Sequence, residues 1–276
     1  MVMIGTSGFS FRDWKGPVYP ASLPAGKMLS YYALELGFDT VEINSTYYSI
    51  PRPSQMEAMS RKTPDNFRFT VKAHRSMTHD PFDRRIEKES HHDTRDNFKL
   101  FELSVEPLKN SGKLGAILLQ FPVFFYPSRA NRQYILDSRD MLGNIPVAVE
   151  FRNNSWATEE TFSFLRDNGL DYCAVDEPKL PRLMPFINEV TAKTGYMRFH
   201  GRNTNWFNAP ISTRYDYLYS ESELEEFVPE VNKMSGLSEK VFVFFNNCNM
   251  GSAAINALRF REMMGLSPGG GGRLFE

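Results

Sequence analysis

The chain has 276 residues, and 32 lysines and arginines against 33 aspartates and glutamates leave it a net charge of −1. This balance is untypical of proteins that coat nucleic acid, although it allows a local basic pocket. Hydrophobic residues make up 41% of the chain and charged residues 24%, which excludes a mainly disordered protein. Two cysteines are too few for a disulfide framework and fit a reducing compartment.

The first residues of the chain, MVMIGTSG, do not resemble a secretory signal, because no basic segment precedes a long apolar run. The longest apolar run, Val241–Phe245, is far shorter than the ~20 residues that cross a bilayer. We therefore expect a cytoplasmic protein with no membrane partner, and the sequence leaves its oligomeric state open.

Short runs of β-branched and aromatic residues alternate with segments of helical periodicity along the chain. The predicted strands are Val2–Thr6, Thr40–Ile43, Phe67–Lys72, Gly115–Leu119, Val147–Glu150, Tyr172–Val175, Tyr196–Phe199 and Val241–Phe245. The predicted helices are Met28–Leu36, Ser54–Arg61, Thr94–Leu108, Arg129–Met141, Thr158–Asn168, Ser222–Met234 and Ser252–Met264. Gly37, Gly169 and Gly265 follow three of these helices, where a glycine commonly ends a helix.

A strand followed by a helix, repeated about eight times, indicates parallel strands joined by right-handed crossovers. The repeat is roughly 34 residues long, which matches an α/β fold of the TIM type, a single (β/α)8 barrel of parallel strands. We predict that this barrel covers residues 1–266, with a doubly wound open sheet as the alternative. Residues 267–276 include four consecutive glycines and are expected to form a flexible tail.

Polar side chains stand opposite the apolar face of the predicted strands and cluster at their C-terminal ends. These residues are Glu42, Asn44, Lys72, His74, Gln120, Glu150, Arg152, Asp176, Arg198 and His200. The last strand ends in Asn246 and Asn247, and alternation does not tell which of them points inward. Because active sites of TIM barrels lie at this end, we expect these groups to converge on one mouth. The alternative is an internal plug of ion pairs whose three carboxylates and three cations cancel.

Two further features of the predicted mouth could contribute to ligand binding. The first connection contains Ser7 between two glycines, and its backbone N–H groups could cradle an anion, although a simple surface turn is the alternative. Aromatic residues in the mouth loops could stack on a sugar or a base, with packing beneath the loops as the alternative for each. These residues are Tyr47, Tyr48, Trp156, Trp206 and Tyr215.

A metal site has weaker support in the sequence. Four of the five histidines lie in residues 74–92, but their spacing matches no zinc motif, and the dense charge there is typical of a solvated lid. At the mouth, Glu42, Glu150, Asp176 and His200 are ligand types for hard cations. Lys72, Arg152 and Arg198 would repel a cation and suit a phosphate or carboxylate. We therefore predict a small anionic ligand and no cofactor, with a divalent metal at the mouth as the alternative.

Several motifs occur in an order that resembles the YecE-like family, also called domain of unknown function 72. They are Gly5-Thr-Ser-Gly-Phe9, Trp14-Lys-Gly16, Val41-Glu-Ile-Asn-Ser-Thr-Tyr-Tyr48, Phe67-Arg-Phe-Thr-Val-Lys72, Leu118-Leu-Gln-Phe-Pro122, Val149-Glu-Phe-Arg152, Arg198-Phe-His-Gly201 and Phe245-Asn-Asn247. The resemblance implies a single TIM-type barrel but no established reaction. Its polar signature coincides largely with the residues that strand alternation selects. The chain departs from the family pattern at Met59, Asn153, Asn154 and Cys248.

These observations lead to three hypotheses. The first is an enzyme, of isomerase, lyase or hydrolase type, that holds a small anion with Arg152, Arg198 and Lys72. In it Glu42 and Glu150 act as base and acid and His200 moves a proton, with Asp176 and Lys72 also among the catalytic candidates. Asn44, Gln120 and Asn246 or Asn247 orient the substrate, together with Ser7, Tyr47 and Trp156.

The second hypothesis is a nucleic-acid-processing barrel analogous to abasic-site endonucleases, with rim cations Arg12, Lys15, Arg75, Arg84, Arg85 and Arg202. The third is a non-catalytic binding protein.

Overall fold

The structure is a computed structural model that describes residues 1–82, 94–207 and 210–266. Its centre is one sheet of eight parallel strands. They are β1 (Val2–Thr6), β2 (Thr40–Ile43), β3 (Arg68–Lys72), β4 (Leu114–Gln120), β5 (Val147–Glu150), β6 (Asp171–Asp176), β7 (Thr194–Phe199) and β8 (Lys240–Phe245). All eight predicted strands are present, and their ends differ from the predicted ends by no more than two residues.

The strands follow one another around a barrel in the order β1-β8-β7-β6-β5-β4-β3-β2. The two ends of this series, β1 and β2, meet at a single parallel bridge between Ser7 and Glu42, so the barrel is nearly closed. This topology confirms the predicted TIM-type α/β barrel, and it is not that of a doubly wound open sheet.

Helices surround the sheet. In the described ranges they are α1 (Met28–Leu34), α2 (Pro53–Arg61), α3 (Arg75–Thr78), α4 (Thr94–Asn110), α5 (Arg129–Leu142), α6 (Glu159–Asp167), α7 (Ile211–Arg214), α8 (Glu221–Glu225), α9 (Val228–Leu237) and α10 (Ser252–Met263). The Thr158 side chain accepts a hydrogen bond from the Thr161 N–H, which caps α6 where the sequence predicted a helix start. No helix in the described residues is both long and apolar enough to cross a membrane.

The helical pattern differs from the prediction in two connections. The single helix predicted over Ser222–Met234 is interrupted and becomes α8 and α9. Pro229, in the first turn of α9, explains the interruption because proline cannot donate a backbone hydrogen bond to a preceding turn. Between β6 and β7, residues 177–193 are all described and contain no helix, so one of the seven connections between consecutive strands is a loop.

Aromatic side chains fill both the outer layer and the lower interior of the barrel. Outside, Phe199 of β7 stacks on Phe245 of β8, and both contact Phe260 of α10. Inside, the ring of Phe242 reaches across to Gly115 on β4. A Cβ at that glycine would lie only 2.6 Å from the ring. The end of the barrel where the strands begin is therefore packed, and the site lies at the opposite end.

The domain boundaries stay a prediction. The proposed tail, residues 267–276, and most of the histidine-containing segment 74–92 lie outside the described residues, which resume at residue 94.

Candidate functional site

A cavity of about 840 Å³ opens at the C-terminal ends of the strands. Its volume falls within the range of small-molecule binding sites. Eleven of the residues that the sequence selected line it: Ser7, Asn44, Tyr47, Tyr48, Lys72, Gln120, Arg152, Arg198, Trp206, Tyr215 and Asn246. Side chains at the ends of seven strands, or on the residues directly after these ends, therefore meet in one cavity, as strand alternation predicts.

Arg198 lies at the floor of this cavity and binds two carboxylates. Its Nη1 donates to Glu150 Oε2 at 2.6 Å, and its Nη2 donates to Glu42 Oε1 at 2.7 Å. The Tyr196 hydroxyl donates to the other oxygen of Glu42 at 2.6 Å. Glu42 and Glu150 are fully buried, so the arginine stands between them and the cavity. This cluster resembles the alternative of an ion-pair plug, but an open cavity lies above it.

Arg152 forms a second bridge beside the first. Its Nε donates to Glu150 Oε1 at 2.5 Å, and its Nη1 donates to Glu177 Oε2 at 2.9 Å. Glu177 is 5% exposed, and its second oxygen accepts the Met184 N–H at 2.9 Å. Burial raises the pKa of Glu177 to about 7, and the positive charge of Arg152 only partly opposes this effect.

Glu150 behaves differently because two guanidinium groups contact it. Burial alone would raise its pKa, but Arg152, Arg198 and His200 together hold that pKa well below the usual range. Glu150 is therefore a permanent anion at neutral pH and cannot donate a proton there.

A chain of polar contacts joins His200 to the cavity wall. The Asn246 Nδ2 lies 3.0 Å from His200 Nδ1, and the Asn246 Oδ1 accepts from Asn44 Nδ2 at 3.2 Å. Because an amide nitrogen only donates, His200 Nδ1 is the acceptor, and its proton lies on Nε2, which faces Glu150 Oε1 at 3.3 Å. Burial and the neighbouring arginines lower the pKa of His200 well below its usual range, so the ring is neutral.

Lys72 reaches the cavity from the end of β3 and is partly buried. Its Nζ lies 4.5 Å from the centre of the Tyr47 ring. Burial and the charges of Arg198 and Arg152 lower the pKa of Lys72 to about 7, although Glu150 and Glu42 act in the opposite direction. At neutral pH this amine is therefore close to equally divided between its charged and neutral forms.

Three of the predicted site residues lie elsewhere. Asp176 points out of the barrel, where it accepts from Arg202 at 3.0 Å and from the Tyr219 hydroxyl at 2.6 Å. Trp156 is fully buried and stacks on Phe151 at 4.2 Å between ring centres. Asn247 turns away from Asn246. These placements correct the expectation that all selected groups converge on the mouth.

Asn247 shows which member of the asparagine pair faces inward. Its Nδ2 donates to the Tyr217 carbonyl at 2.8 Å and to Asn256 Oδ1 at 2.9 Å, outside the cavity. Asn246 is the inward residue, because it lines the cavity and contacts His200.

Glu177 and His79 are among the residues of this site that the sequence missed, together with Asp13 and Arg214. Glu177 follows Cys173 and Val175 on the inward face of β6, and the Cys173 thiol lies 3.8 Å from Glu150 Oε2. Reading Cys173 as inward-facing would have identified Glu177. His79 lines the cavity and packs edge-on against Tyr47, with ring centres 4.9 Å apart. It was assigned only to the charged loop.

The departures from the family pattern also have positions in the structure. Met59 packs against the hydrophobic core. Asn153 caps the turn that begins at Asn154, since its Oδ1 accepts the Ser155 N–H at 2.9 Å. Only Cys248 lines the cavity, where its thiol lies 3.4 Å from the Ser7 carbonyl.

The donor set fits an anion better than a metal. Among residues 1–82, 94–207 and 210–266, no three histidine, cysteine, aspartate or glutamate side chains come together to hold a metal ion. The carboxylates beneath the cavity floor, Glu42 and Glu150, already bind guanidinium groups, and Asp13, which lines the cavity, accepts the Met250 N–H. Asp176, one of the four metal ligands suggested by the sequence, faces out of the barrel and lies apart from the other three.

Comparison with known proteins agrees with the architecture. The family described as "Protein of unknown function DUF72" matches residues 3–271. The UPF0759 protein YunF of Bacillus subtilis (strain 168) is 32% identical over 287 aligned positions, covering 98% of this chain and 97% of that protein.

Two crystal structures of DUF72 family proteins share the fold. One, from Thermotoga maritima, is 45% identical, superposes with a TM-score of 0.88 and covers 96% of this chain and 99% of its own. Another, from Enterococcus faecalis, is 29% identical, with a TM-score of 0.85 and coverage of 97% and 96%. The resemblance to the YecE-like family is thereby confirmed, and the chain belongs to the DUF72 family, whose function its description leaves open.

Proposed function

We propose that this protein is an enzyme whose mouth cavity binds a small substrate carrying a phosphate or carboxylate group. The observation that supports it is the layering of charge at the cavity floor. Lys72, Arg152 and Arg198 line the cavity, whereas Glu42, Glu150 and Glu177, which pair with the two arginines, do not. A ligand entering the cavity meets the cations first, because electrostatic attraction falls with distance.

The chemistry of the arginines suits such a ligand. A guanidinium presents its N–H groups in a planar fork that matches phosphate and carboxylate oxygens. The Nε of Arg198 is buried and donates to no group in the described residues. An unsatisfied buried donor is costly, so this guanidinium keeps hydrogen-bonding capacity that its two carboxylate partners do not use.

The roles expected for the carboxylates change. Glu150 was predicted as general acid, but Arg152 and Arg198 keep it ionised. We assign to Glu150 and Glu42 the positioning of Arg198, which both contact. No catalytic role is proposed for Asp176, because it binds Arg202 outside the barrel.

We assign the chemical step to Lys72, because an amine with a pKa of about 7 is present in both its charged and its neutral form at neutral pH. Asn44, Gln120 and Asn246 face the cavity and would orient the substrate. His200 is fully buried beneath Asn246 and positions that amide rather than touching substrate.

Anion binding tests this proposal. Calorimetric titration with inorganic phosphate and with oxalate, at constant ionic strength, should show saturable binding to the wild-type chain. Lys72→Met removes one cation without breaking any ion pair among the described residues, and it should weaken binding at least roughly tenfold. Lys62→Met, far from the cavity, should leave the affinity unchanged. Equal affinity in wild type and Lys72→Met would refute the site.

The nucleic-acid hypothesis has less support from the rim. Arg75 pairs with Asp80 at 2.9 Å and Arg202 with Asp176 at 3.0 Å, so both charges are already compensated. Arg84 and Arg85 lie outside the described residues. Salt-dependent binding to a duplex with an abasic site would favour that hypothesis. A non-catalytic protein would bind the same anions and show no turnover of any of them.

A further inference from the structure

Lys72 differs from the other cations of the cavity in its contacts. Arg152 and Arg198 each bind two carboxylates. The Nζ of Lys72 forms no hydrogen bond and no salt bridge with any residue in the described ranges, and it packs over the Tyr47 ring instead. A lysine without a counterion at the floor of a cavity is unusual, because side chains of this type are rarely desolvated without a partner.

The reason is that the nearby carboxylate oxygens are occupied. Both oxygens of Glu42 accept hydrogen bonds, one from Arg198 and one from Tyr196. Both oxygens of Glu150 are also in use, one by Arg152 and one by Arg198. Each of these four oxygens therefore already has a hydrogen-bond donor, and none of them forms an ion pair with Lys72.

The backbone of Lys72 is held rigidly. The Thr46 hydroxyl donates to the Lys72 carbonyl at 2.6 Å, and the residue pairs with Leu118 on the neighbouring strand. The amine therefore projects from the fixed end of β3 into the cavity. A nucleophile on a rigid strand is easier to orient toward substrate than one on a loop.

We propose that Lys72 is a nucleophile that forms an imine with the carbonyl carbon of a small anionic aldehyde or ketone. This inference rests on the proposed function and names the substrate class of the same site. The nitrogen lone pair attacks the carbonyl carbon, and the two protons of the neutral amine move in turn from nitrogen to the former carbonyl oxygen. That oxygen then leaves as water, and a C=N bond remains. The anionic group of the substrate lies on Arg152.

The electrostatics of the cavity favour this step. Only a neutral amine attacks a carbonyl carbon, and desolvated lysines near other cations are activated in this way. With a pKa of about 7, roughly half of Lys72 is neutral at pH 7, against roughly one part in 10³ for an ordinary lysine. The Tyr47 ring packs on the same nitrogen, and burial raises the pKa of its phenol, so the phenol stays protonated.

An imine intermediate also favours some of the possible reaction classes over others. A protonated imine withdraws electrons from the adjacent carbon and so promotes breaking of a C–H or C–C bond beside the former carbonyl. Of the three classes left open by the sequence, isomerase and lyase chemistry use such a step, and simple hydrolysis does not.

Reductive trapping tests the inference. The full chain is incubated at pH 7 with glyoxylate, a small anionic aldehyde, and sodium cyanoborohydride, which reduces an imine to a stable carboxymethyl-lysine. Peptide mass spectrometry then gives the rate of modification at every lysine. We expect Lys72 to react roughly 10²–10³ times faster than exposed lysines, and inorganic phosphate to slow this reaction.

Two variants control the experiment. Lys72→Arg keeps the positive charge but cannot form an imine, so the fast modification should disappear while phosphate still binds. Lys62→Arg removes an exposed lysine and should change neither result. If phosphate binds to the wild-type chain but Lys72 reacts no faster than exposed lysines, the nucleophile is refuted and the anion site stands. If phosphate does not bind at all, the proposed function itself fails.

Discussion

Arg198 of β7 reaches across the interior of the barrel to Glu42 of β2, and the two side chains meet at 2.7 Å in full burial. The strands that carry them are not neighbours, since β8 and β1 lie between them. Glu150 binds the same guanidinium from the other side at 2.6 Å. One arginine therefore binds two buried carboxylates, and its loss would remove the guanidinium from Glu42 and leave Glu150 with Arg152.

Substitution of Arg198 should be strongly destabilising. Removing one member of a buried ionic cluster typically costs 3–5 kcal/mol, so we expect Arg198→Met to lower the free energy of unfolding by about 4 kcal/mol. Urea unfolding followed by circular dichroism measures this change. The control is Arg166→Met, which removes an exposed pair with Glu159 and should cost less than about 1 kcal/mol. Similar costs for both variants would contradict the role given to Arg198.

Lys72 should lower the free energy of unfolding by an amount that depends on pH. Its folded pKa of about 7 lies below the unfolded value of ~10.4, so above pH 7 the unfolded chain holds a proton that the folded chain has released. Stability contributed by this group therefore rises with pH between these values. Lys72→Met should be more stable than wild type at pH 7, and about 2 kcal/mol of this advantage should disappear by pH 9.

Urea titrations of both chains at pH 7 and pH 9 provide the test. Lys62→Met serves as the control, with the same stability difference from wild type at each pH. A constant difference between wild type and Lys72→Met would show that the lysine is not perturbed by its surroundings.

Asp171, at the start of β6, should change stability with pH in the opposite direction to Lys72. It is 3% exposed, its Oδ1 accepts the Thr194 N–H at 2.8 Å, and burial raises its pKa to about 7. The folded chain keeps a proton that the unfolded chain loses near pH 4, so this contribution to stability falls between pH 4 and 7. Relative to Asp171→Asn, wild type should lose about 2 kcal/mol between pH 5 and pH 7.

Chemical denaturation at the two pH values checks the prediction for Asp171. The exposed Asp167→Asn is the matched control, and its difference from wild type should be the same at both pH values. Parallel curves for wild type and Asp171→Asn would mean that the buried carboxyl ionises normally.

The lower barrel interior should not tolerate a methyl group at Gly115. A Cβ there would lie 2.6 Å from the Phe242 ring, and overpacking of this kind costs about 1–3 kcal/mol. Adding Phe242→Leu should recover part of the loss, so the two changes should be non-additive in thermal unfolding. Gly236→Ala in α9 has free space and should instead stabilise by about 0.5–1 kcal/mol. Additive losses at Gly115 and Phe242 would contradict the close contact.

The fold was predictable because its pattern is local. Each strand is a short apolar run followed by a helix, and the repeat alone restricts the topology to very few folds. Alternation also placed Glu42, Glu150 and Arg198 on one face, since a strand turns successive side chains to opposite sides.

Strand β6 shows where this reasoning fails. It ends in two consecutive carboxylates, Asp176 and Glu177, so one polar group lies on each face and alternation cannot distinguish inside from outside. The structure sends Asp176 to Arg202 and Glu177 to Arg152. Partner choice of this kind depends on residues far apart in the chain. For the same reason the sequence did not show that Lys72 forms no ion pair with the residues that the structure describes.

The ion pairs at the floor of the cavity also lie beside the two pairs of neighbouring strands that have the fewest paired residues. The register of β5 with β6 includes only two residue pairs, and β1 meets β2 at the single bridge of Ser7 and Glu42. Arg152 to Glu177 spans the first of these seams, and Nη2 of Arg198 contacts both Ser7 and Glu42 at the second. The side chains proposed to bind a substrate anion therefore also connect neighbouring strands of the barrel, and we expect a ligand bound in the cavity to slow amide hydrogen exchange along both seams.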